Sequence, residues 1–287
     1  MPADTDKMFK GLNWIEIGDE EFDLIRKLVY SKLGINLTDE KKSLVAGRLQ
    51  KILKDLNFKN FKAYYDFVIG DSTGDSLSTL ANKITTNHTF FYRENDHFSY
   101  FFDNVLPEIV KKHQNNRNFD LRIWSAGCSS GEEPYMLAIL LLEYFKDDYK
   151  NWDAGILATD ISEKVLAIAK TGIYNFDRLK DLPEYYLKKY FKKTGADEYE
   201  LIDKVKKEVT YRHLNFMSAV FPFKKPFDVI FCRNVMIYFD NPTREVLVRK
   251  FWENLAVGGY LFIGHSESLN KSKILFEYVK PALYRKI

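Results

Sequence analysis

One short segment combines glycines and carboxylates in a way that suits a charged ligand. The sequence IWSAGCSSGEEPY, residues 123–135, places Gly127 and Gly131 between an apolar stretch and the pair Glu132 and Glu133. Glycine allows close approach of a backbone to a ligand, and a helix that begins here would offer free N–H groups. The segment lacks the Gly-Lys-Ser/Thr of a phosphate-binding loop. Its two carboxylates favour a ligand with positive charge, such as a sulfonium or amino group, although a plain strand-to-helix turn fits equally well.

A further carboxylate, Asp160, ends the apolar segment ILATD, 33 residues after Gly127. After one βα unit, this is the place where a carboxylate that binds ribose hydroxyls is expected. Aspartate in such a position also commonly caps the next helix, but Ser162 could provide that cap and leave Asp160 free. Taken together with the first segment, the spacing favours the ribose-binding interpretation.

A third candidate is FDVIFCRNVMIYFD, in which an apolar stretch ends in Arg233 and Asn234, and Tyr238 follows. Polar residues that end a buried strand are candidates for a binding site. The alternative is that Arg233 pairs with a carboxylate of the core and that Tyr238 merely packs.

A fourth segment, TTNHTFFYREN at residues 85–95, surrounds aromatic side chains with Asn87, Thr89 and Arg93. Its histidine, His88, has no second metal-binding residue at a suitable spacing. Because no Cys/His cluster of the chain has zinc spacing either, we expect no metal.

The elements that must position these residues follow from the hydrophobic pattern. From about residue 119, short apolar strands alternate with helices, which indicates βαβ units and a parallel sheet. Ligands of such sheets bind at the carboxyl ends of the strands, so the informative loops are those after Ser125, Thr159, Cys232 and Ile263. Between them, residues 172–216 contain two alternating segments, EYELID and EVTYRHL, which we interpret as a small inserted antiparallel hairpin.

The first part of the chain is different, because residues 1–85 show helical periodicity and no strand pattern. We therefore expect three parts: a helical domain at 1–85, a linker and helix at 86–118 that contributes to the active site, and an α/β domain at 119–287. Residues 41–62 carry seven Lys/Arg against one Asp, whereas residues 1–40 are acidic. Arg48, Lys51 and Lys54 recur every three residues, which predicts an exposed basic stripe on one helix.

Composition excludes several classes of protein. Hydrophobic residues make up 46% and charged residues 29% of the 287, which is typical of a folded globular protein. We expect a heavily aromatic core, because aromatic residues make up 16%. The sequence has no export signal, no apolar run of membrane-spanning length and only two cysteines, so we expect a cytoplasmic protein without membrane insertion. The net charge of +3 does not suggest nucleic-acid binding.

Together, ITTNHTFFYREN, WSAGCSSGEEPY, TDIS, GIY at 172–174, FDVIFCRNVMIYFD and GHSES resemble the chemotaxis receptor glutamate O-methyltransferases, the CheR family. The resemblance covers nearly the whole chain. It implies a Rossmann-like sheet that binds S-adenosylmethionine and releases S-adenosylhomocysteine. It also implies methylation of glutamate side chains on the acidic helical cytoplasmic bundle of methyl-accepting receptors.

Residue by residue, the resemblance implies a set of cofactor-binding positions: Asn87, Thr89, Arg93, Glu133, Asp160, Asn215, Phe216, Arg233 and Asn234. Arg93 and Tyr238 match positions close to the transferred methyl group. Some family members tether to a receptor peptide through the inserted hairpin, in a region with paired glycines. Here that region has only Gly195, which leaves tethering open.

The combined interpretation is a monomeric methyltransferase whose basic stripe, Arg48, Lys51 and Lys54, docks the receptor. Two other hypotheses remain open at this point. One is a methyltransferase that acts on RNA or a small molecule, and the other is a non-catalytic module that only binds the receptor.

Overall fold

The computed structural model describes residues 14–86, 88–269 and 276–287. The chain divides into two compact units, Met1–Thr86 and Asn87–Ile287, which are described separately below. Within those described ranges, every helix is too short or too polar to traverse a lipid bilayer.

The first unit is a helical bundle, as its periodicity predicts. Its helices are α1 (Asp19–Leu33), α2 (Lys42–Asp55), α3 (Phe61–Gly70) and α4 (Asp75–Ile84). Helix α1 ends at Gly34, whose left-handed φ of 71° lets its N–H bond back to the carbonyl of Tyr30. Helix α3 begins where the Asn60 side chain accepts the N–H of Ala63 at 2.8 Å.

Helix α2 carries the three residues of the predicted basic stripe. Lys51 is exposed, as expected, whereas Lys54 is half-buried, so the expectation of exposure is not met there. The expectation of exposure is wrong for Arg48, which is also half-buried: its guanidinium donates to the carbonyl of Ile84 and, at 2.5 Å, to the hydroxyl of Thr86. The reason is electrostatic, since the carbonyl end of helix α4 attracts a cation.

The second unit is an α/β domain. Its helices are α5 (Asn95–Tyr100), α6 (Leu106–Asn115), α7 (Glu132–Phe145), α8 (Glu163–Thr171), α9 (Glu184–Tyr190), α10 (Asp203–Lys206) and α11 (Asn241–Asn254). Its strands are β1 (Asp120–Ala126), β2 (Asp153–Asp160), β3 (Ile173–Asn175), β4 (Phe191–Lys193), β5 (Glu198–Leu201), β6 (Val209–His213), β7 (Phe227–Cys232), β8 (Leu255–Ile263), β9 (Phe276–Lys280) and β10 (Leu283–Lys286).

Seven strands form the main sheet in the order β6-β2-β1-β7-β8-β10-β9. The first five strands are parallel, and β10 runs antiparallel to both β8 and β9. The predicted Rossmann-like architecture is confirmed, and the carboxyl ends of β6, β2, β1, β7 and β8 lie along one edge. The loops singled out from the sequence therefore leave the sheet at that edge.

The inserted segment differs from the prediction in one respect. A small antiparallel sheet is present, with strand order β3-β5-β4, and EYELID supplies β5. EVTYRHL, however, does not pair with it: as β6 it pairs in parallel with β2, from Ile156↔Val209 to Asp160↔His213. The hairpin interpretation of EVTYRHL is thus wrong, because its alternation fits an edge strand of the main sheet equally well.

Aromatic side chains fill the core beneath the carboxyl edge, as the composition predicts. Phe231 and Phe262, on adjacent strands, stack with ring centroids 4.2 Å apart. Trp124 is fully buried, and its indole N–H donates to the Thr159 hydroxyl at 2.9 Å. This packing fixes the strands whose ends carry the candidate residues.

Candidate functional site

The loop between β1 and α7 needs both of its glycines. Gly127 and Gly131 have φ angles of +81° and +94°. A Cβ on Gly127 would lie 2.5 Å from the side chain of Val235, and one on Gly131 would lie 2.6 Å from the hydroxyl of Tyr211. The close approach that the glycines permit is therefore to the protein's own side chains, and it brings this loop against the loop after β7.

Asp160 ends β2 beside that loop. Its carboxylate accepts the backbone N–H of Ser129 and that of Ser162, each at 2.9 Å. The N-cap of α8 is Ser162, whose hydroxyl accepts the N–H of Val165 at 3.2 Å, so the alternative role of Asp160 as the cap is excluded. Burial raises the pKa of Asp160, and the two N–H donors oppose this rise.

Arg233 lies at the centre of an ion-pair network, with only 3% of its side chain exposed. Its Nη1 is 3.2 Å from Glu133 Oε2, and its Nη2 is 3.1 Å from Glu94 Oε2. The same Nη2 donates to the carbonyl of Arg93, and the guanidinium lies 5.1 Å from the centroid of the Phe98 ring. Arg233 therefore pairs with carboxylates of the protein itself, as the alternative interpretation expects, and its contact with a cofactor stays a prediction. The network thus combines two carboxylates with one guanidinium.

The two glutamates of the first segment have different partners. Glu133 Oε1 accepts the hydroxyl of Ser125 at 2.7 Å, and burial raises the pKa of Glu133 while Arg233 opposes the rise. Glu132 is fully buried and accepts from Ser130 at 2.8 Å and from Arg178 at 3.2 Å. Glu133 thus contributes its charge to the network around Arg233, whereas Glu132 stabilises the loop itself.

Glu94 was not among the residues selected from the sequence. Its Oε1 accepts the Asn234 side-chain amide at 3.1 Å, and its Oε2 accepts two N–H groups of Arg233. Burial acts to raise the pKa of Glu94, but the Arg233 charge and the Asn234 amide keep it below its ordinary value. The available signal was its place beside Arg93 in the aromatic segment.

Three residues around this network adopt left-handed backbone conformations that non-glycine residues rarely adopt. They are Tyr92, Glu94 and Asn234, with φ angles of 67°, 53° and 60°. Such conformations store conformational energy and concentrate at functional sites, where surrounding contacts enforce them.

Glu267 links two loops of the same edge, and it is the second carboxylate here that is absent from the residues predicted from the sequence. Its oxygens accept backbone N–H groups of Asn234 at 3.0 Å, Ile237 at 3.1 Å and Gly264 at 2.6 Å. The signal was present in GHSES, which places an acidic residue just beyond the end of β8.

The remaining selected residues adjoin this edge. Leu214 donates to the carbonyl of Asp160 at 3.0 Å and so anchors the loop that carries Asn215 and Phe216. The Asn215 side chain accepts the N–H of Met217 at 2.9 Å. The Phe216 ring packs edge-on against Trp124, with centroids 6.4 Å apart.

The other selected residues lie in the aromatic segment, residues 85–95, and in the loop after β7. The guanidinium of Arg93 donates to the carbonyl of His88 at 2.9 Å, and the carbonyl of Thr89 accepts from Arg178. Tyr238 is half-buried and ends a 3₁₀ turn, Met236–Tyr238. Asn87 lies outside the described residues.

One cluster near the network resembles a metal-binding set. Glu94, His97 and His265 each have a ligand atom within 4.8 Å of the other two. Both oxygens of Glu94, however, already accept hydrogen bonds, and a cation would lie beside the Arg233 guanidinium, which would repel it. We therefore assign no metal site, and the expectation of a metal-free enzyme stays a prediction.

Both units of the chain match known proteins. Residues 20–85 match the model of "CheR methyltransferase, all-alpha domain", and residues 87–284 match "CheR methyltransferase, SAM binding domain". The chain is 46% identical to a chemotaxis protein methyltransferase of Borreliella burgdorferi, over 95% of this chain and 96% of that protein.

Two further relatives extend the comparison. A probable chemotaxis protein methyltransferase of Rhizobium etli is 39% identical, over 90% of this chain and 96% of that protein. The chemotaxis protein methyltransferase of Escherichia coli strain K12 is 35% identical, over 89% of this chain and 87% of that protein.

Proposed function

Because this chain belongs to the CheR methyltransferase family, it is an S-adenosylmethionine-dependent methyltransferase of chemotaxis receptors, and we propose that it forms methyl esters on their glutamate side chains. The observation that carries the proposal is the acidic edge of the sheet, where Glu94 and Glu133 share one guanidinium near Asp160. A cationic cofactor suits an edge at which carboxylates outnumber guanidinium groups in this way.

The residues at this edge fit S-adenosylmethionine. Asp160 has lone pairs for ribose hydroxyls in addition to the two that its backbone donors occupy. Beside it, the buried hydroxyl of Ser129 has no hydrogen-bond partner within the described residues, which marks a polar group that a ligand could satisfy. We propose that Asn215, Phe216 and Asn234 complete the cofactor contacts, with Phe216 offering an aromatic surface.

The protein contributes to the reaction mainly by positioning the two reactants. The bound cofactor supplies an electrophilic methyl group. The glutamate nucleophile is ionised at pH 7, given a reference pKa of about 4.3, so the protein needs no general base. Arg93 orients the incoming carboxylate, and Tyr238 shapes the pocket beside it. Holding two reactants in line can lower the barrier by roughly 7–11 kcal/mol.

We also propose that the 86–118 segment belongs functionally to the site. Its Glu94 and the carbonyl of Arg93 both bind Arg233, 139 or more residues further along the chain. The segment therefore contributes charge to the carboxyl edge and also presents the Arg93 side chain.

The decisive experiment is transfer of radiolabel from methyl-labelled S-adenosylmethionine to a receptor cytoplasmic fragment. The proposal predicts counts that are released as methanol in mild base, because glutamate methyl esters hydrolyse there. Base-stable counts, or labelling of RNA in its place, would exclude an ester on glutamate. Binding of the cofactor without any transfer would support a module that only binds receptor.

Asp160→Asn is expected to weaken S-adenosylmethionine binding by about 10- to 150-fold, which corresponds to losing roughly 1.5–3 kcal/mol of charge-assisted hydrogen bonds. Asparagine keeps an acceptor for one of the two backbone N–H groups, whereas alanine would leave both buried donors unpaired and destabilise the fold as well. Isothermal titration calorimetry measures the dissociation constant. Asp153→Asn, on an exposed position of the same strand, is the matched control and should bind normally. An unchanged constant for folded Asp160→Asn would remove Asp160 from the ribose site.

For the receptor, we propose docking through the basic stripe of α2, with Lys51 as its exposed member and Lys54 beside it. Arg48 contributes charge but is bound to the end of α4, so it is not free to bind a partner directly. Electrostatic attraction of an acidic receptor bundle would raise the association rate.

Lys51→Glu with Lys54→Glu is expected to raise the KM for receptor several-fold and to leave the cofactor affinity unchanged. Wild-type methylation should also slow with added salt, because the Debye length falls from about 10 Å at 0.1 M to about 3 Å at 1 M. Steady-state methylation assays at low salt measure both effects. Lys27→Glu with Lys111→Glu changes the net charge equally at other exposed positions and serves as the control. Equal KM values for the two double variants would mean that the stripe is an ordinary solvated surface.

A further inference from the structure

The buried carboxylate of Glu267 is held by backbone amides in the part of the chain that the structure describes. The residue is 8% exposed, and within the described residues it forms no ion pair. Its Oε2 accepts the N–H groups of Asn234 and Gly264, and its Oε1 accepts that of Ile237. Burying a carboxylate without a cation is costly, and converging amide donors are the arrangement that offsets this cost.

The amides come from two separate loops. Gly264 belongs to the loop after β8, whereas Asn234 and Ile237 belong to the loop after β7. The loops are in tight contact, since a Cβ on Gly264 would lie 2.6 Å from the side-chain amide nitrogen of Asn234 and 2.9 Å from Glu267 Oε2. Glu267 therefore fixes the position of one loop relative to the other.

The amides of Asn234 and Ile237 belong to the loop that carries residues of the proposed active site. Asn234 has a left-handed φ of 60°, a conformation that surrounding contacts must stabilise in a non-glycine residue. Its side chain donates to Glu94. Ile237 lies within the 3₁₀ turn that ends at Tyr238. One carboxylate thus holds both a proposed cofactor contact and the turn that carries the proposed methyl-pocket residue.

We infer that Glu267 is a positioning residue for methyl transfer, which acts through the backbone of residues 234–238 and touches neither reactant. This inference rests on the proposed function of the site. A neutral amide cannot replace the carboxylate, because glutamine has one acceptor oxygen and would turn an NH₂ group towards one set of N–H donors.

The test compares Glu267→Gln with Glu277→Gln, which makes the same chemical change at an exposed position of β9. Single-turnover methyl transfer is measured with saturating cofactor and receptor fragment, below the melting temperature of each variant. Glu267→Gln is expected to lower the rate at least tenfold, and Glu277→Gln should leave it unchanged. Glu267→Asp, which keeps the charge on a shorter side chain, should give an intermediate rate.

A second readout does not depend on activity. Amide hydrogen exchange of residues 234–238 should accelerate at least tenfold in Glu267→Gln, in the absence and presence of S-adenosylhomocysteine. If the wild-type protein fails to methylate the receptor, the proposed function is refuted. The amide hydrogen exchange of residues 234–238 still decides whether Glu267 fixes this loop. If the wild type is active and a folded Glu267→Gln matches it in rate or in exchange, the inference is overturned. Should Glu267→Gln fail to fold, Glu267→Asp with a wild-type rate would overturn it equally.

Discussion

Arg233→Met is expected to lower the free energy of unfolding by about 3–5 kcal/mol, the cost typical of removing one partner from a buried ion pair. Methionine keeps much of the side-chain volume over the Phe98 ring. It leaves Glu94 and Glu133, two carboxylates that share this guanidinium, without their cation. Their mutual repulsion would then add to the cost of burying each charge.

Urea unfolding followed by tryptophan fluorescence measures the loss, since Trp124, Trp152 and Trp252 all lie in the α/β unit. Arg249→Met, at an exposed position of α11, is the matched control and should change stability by less than about 0.5 kcal/mol. Adding Glu133→Gln to Arg233→Met should recover part of the loss, because it removes one of the unpaired charges. A loss below about 1 kcal/mol for Arg233→Met would show that solvent, not Arg233, neutralises the two carboxylates.

Arg93→Ala is expected to lower kcat about 100-fold, the size of effect that follows when a reactant is misplaced by about an ångström. The side chain is half-buried and donates to the carbonyl of His88, so its loss removes one partly exposed hydrogen bond and little packing. The carbonyl of Arg93, which binds Arg233, is retained in the variant. Stability should therefore change far less than turnover.

Steady-state methylation with saturating receptor and cofactor measures kcat, and a thermal melt checks the fold. Arg93→Lys keeps the positive charge but loses the planar fork of donors, so it should fall between the wild type and Arg93→Ala. A normal kcat for Arg93→Ala would refute an orienting role. An increase in KM alone would reassign the side chain to substrate binding.

The sequence predicts those parts of the fold that local pattern controls. Helices α1 to α4, the alternation that builds the parallel sheet and the cap at Ser162 all follow from spacing and side-chain type. The sequence does not predict which sheet β6 joins, because the alternating pattern of five residues does not specify which strand they pair with. Pairing with β2 is decided by contacts between residues about 50 positions apart.

The same limit applies to the candidate site. Asp160 and Arg233 end apolar strands, and that position is visible in the sequence. Glu94 and Glu267 do not themselves end an apolar strand, and their partners cannot be inferred from the sequence. Glu94 pairs with an arginine 139 residues away, and the partners of Glu267 among the described residues are backbone N–H groups, which every residue type but proline provides. The exposure that the sequence predicts for Arg48 is wrong for a similar reason, because the acceptor of its guanidinium lies on another helix.

The hydrogen bonds of Asp160 have a kinetic consequence. They tie the β1–α7 loop, through Ser129, and the start of α8, through Ser162, to the end of β2, so the protein's own groups shape this part of the edge. A ligand that enters it has little backbone left to order, and the entropic cost of association is correspondingly small. Binding at this part of the edge should follow a single bimolecular phase whose observed rate rises linearly with ligand concentration, with no plateau from a slow rearrangement.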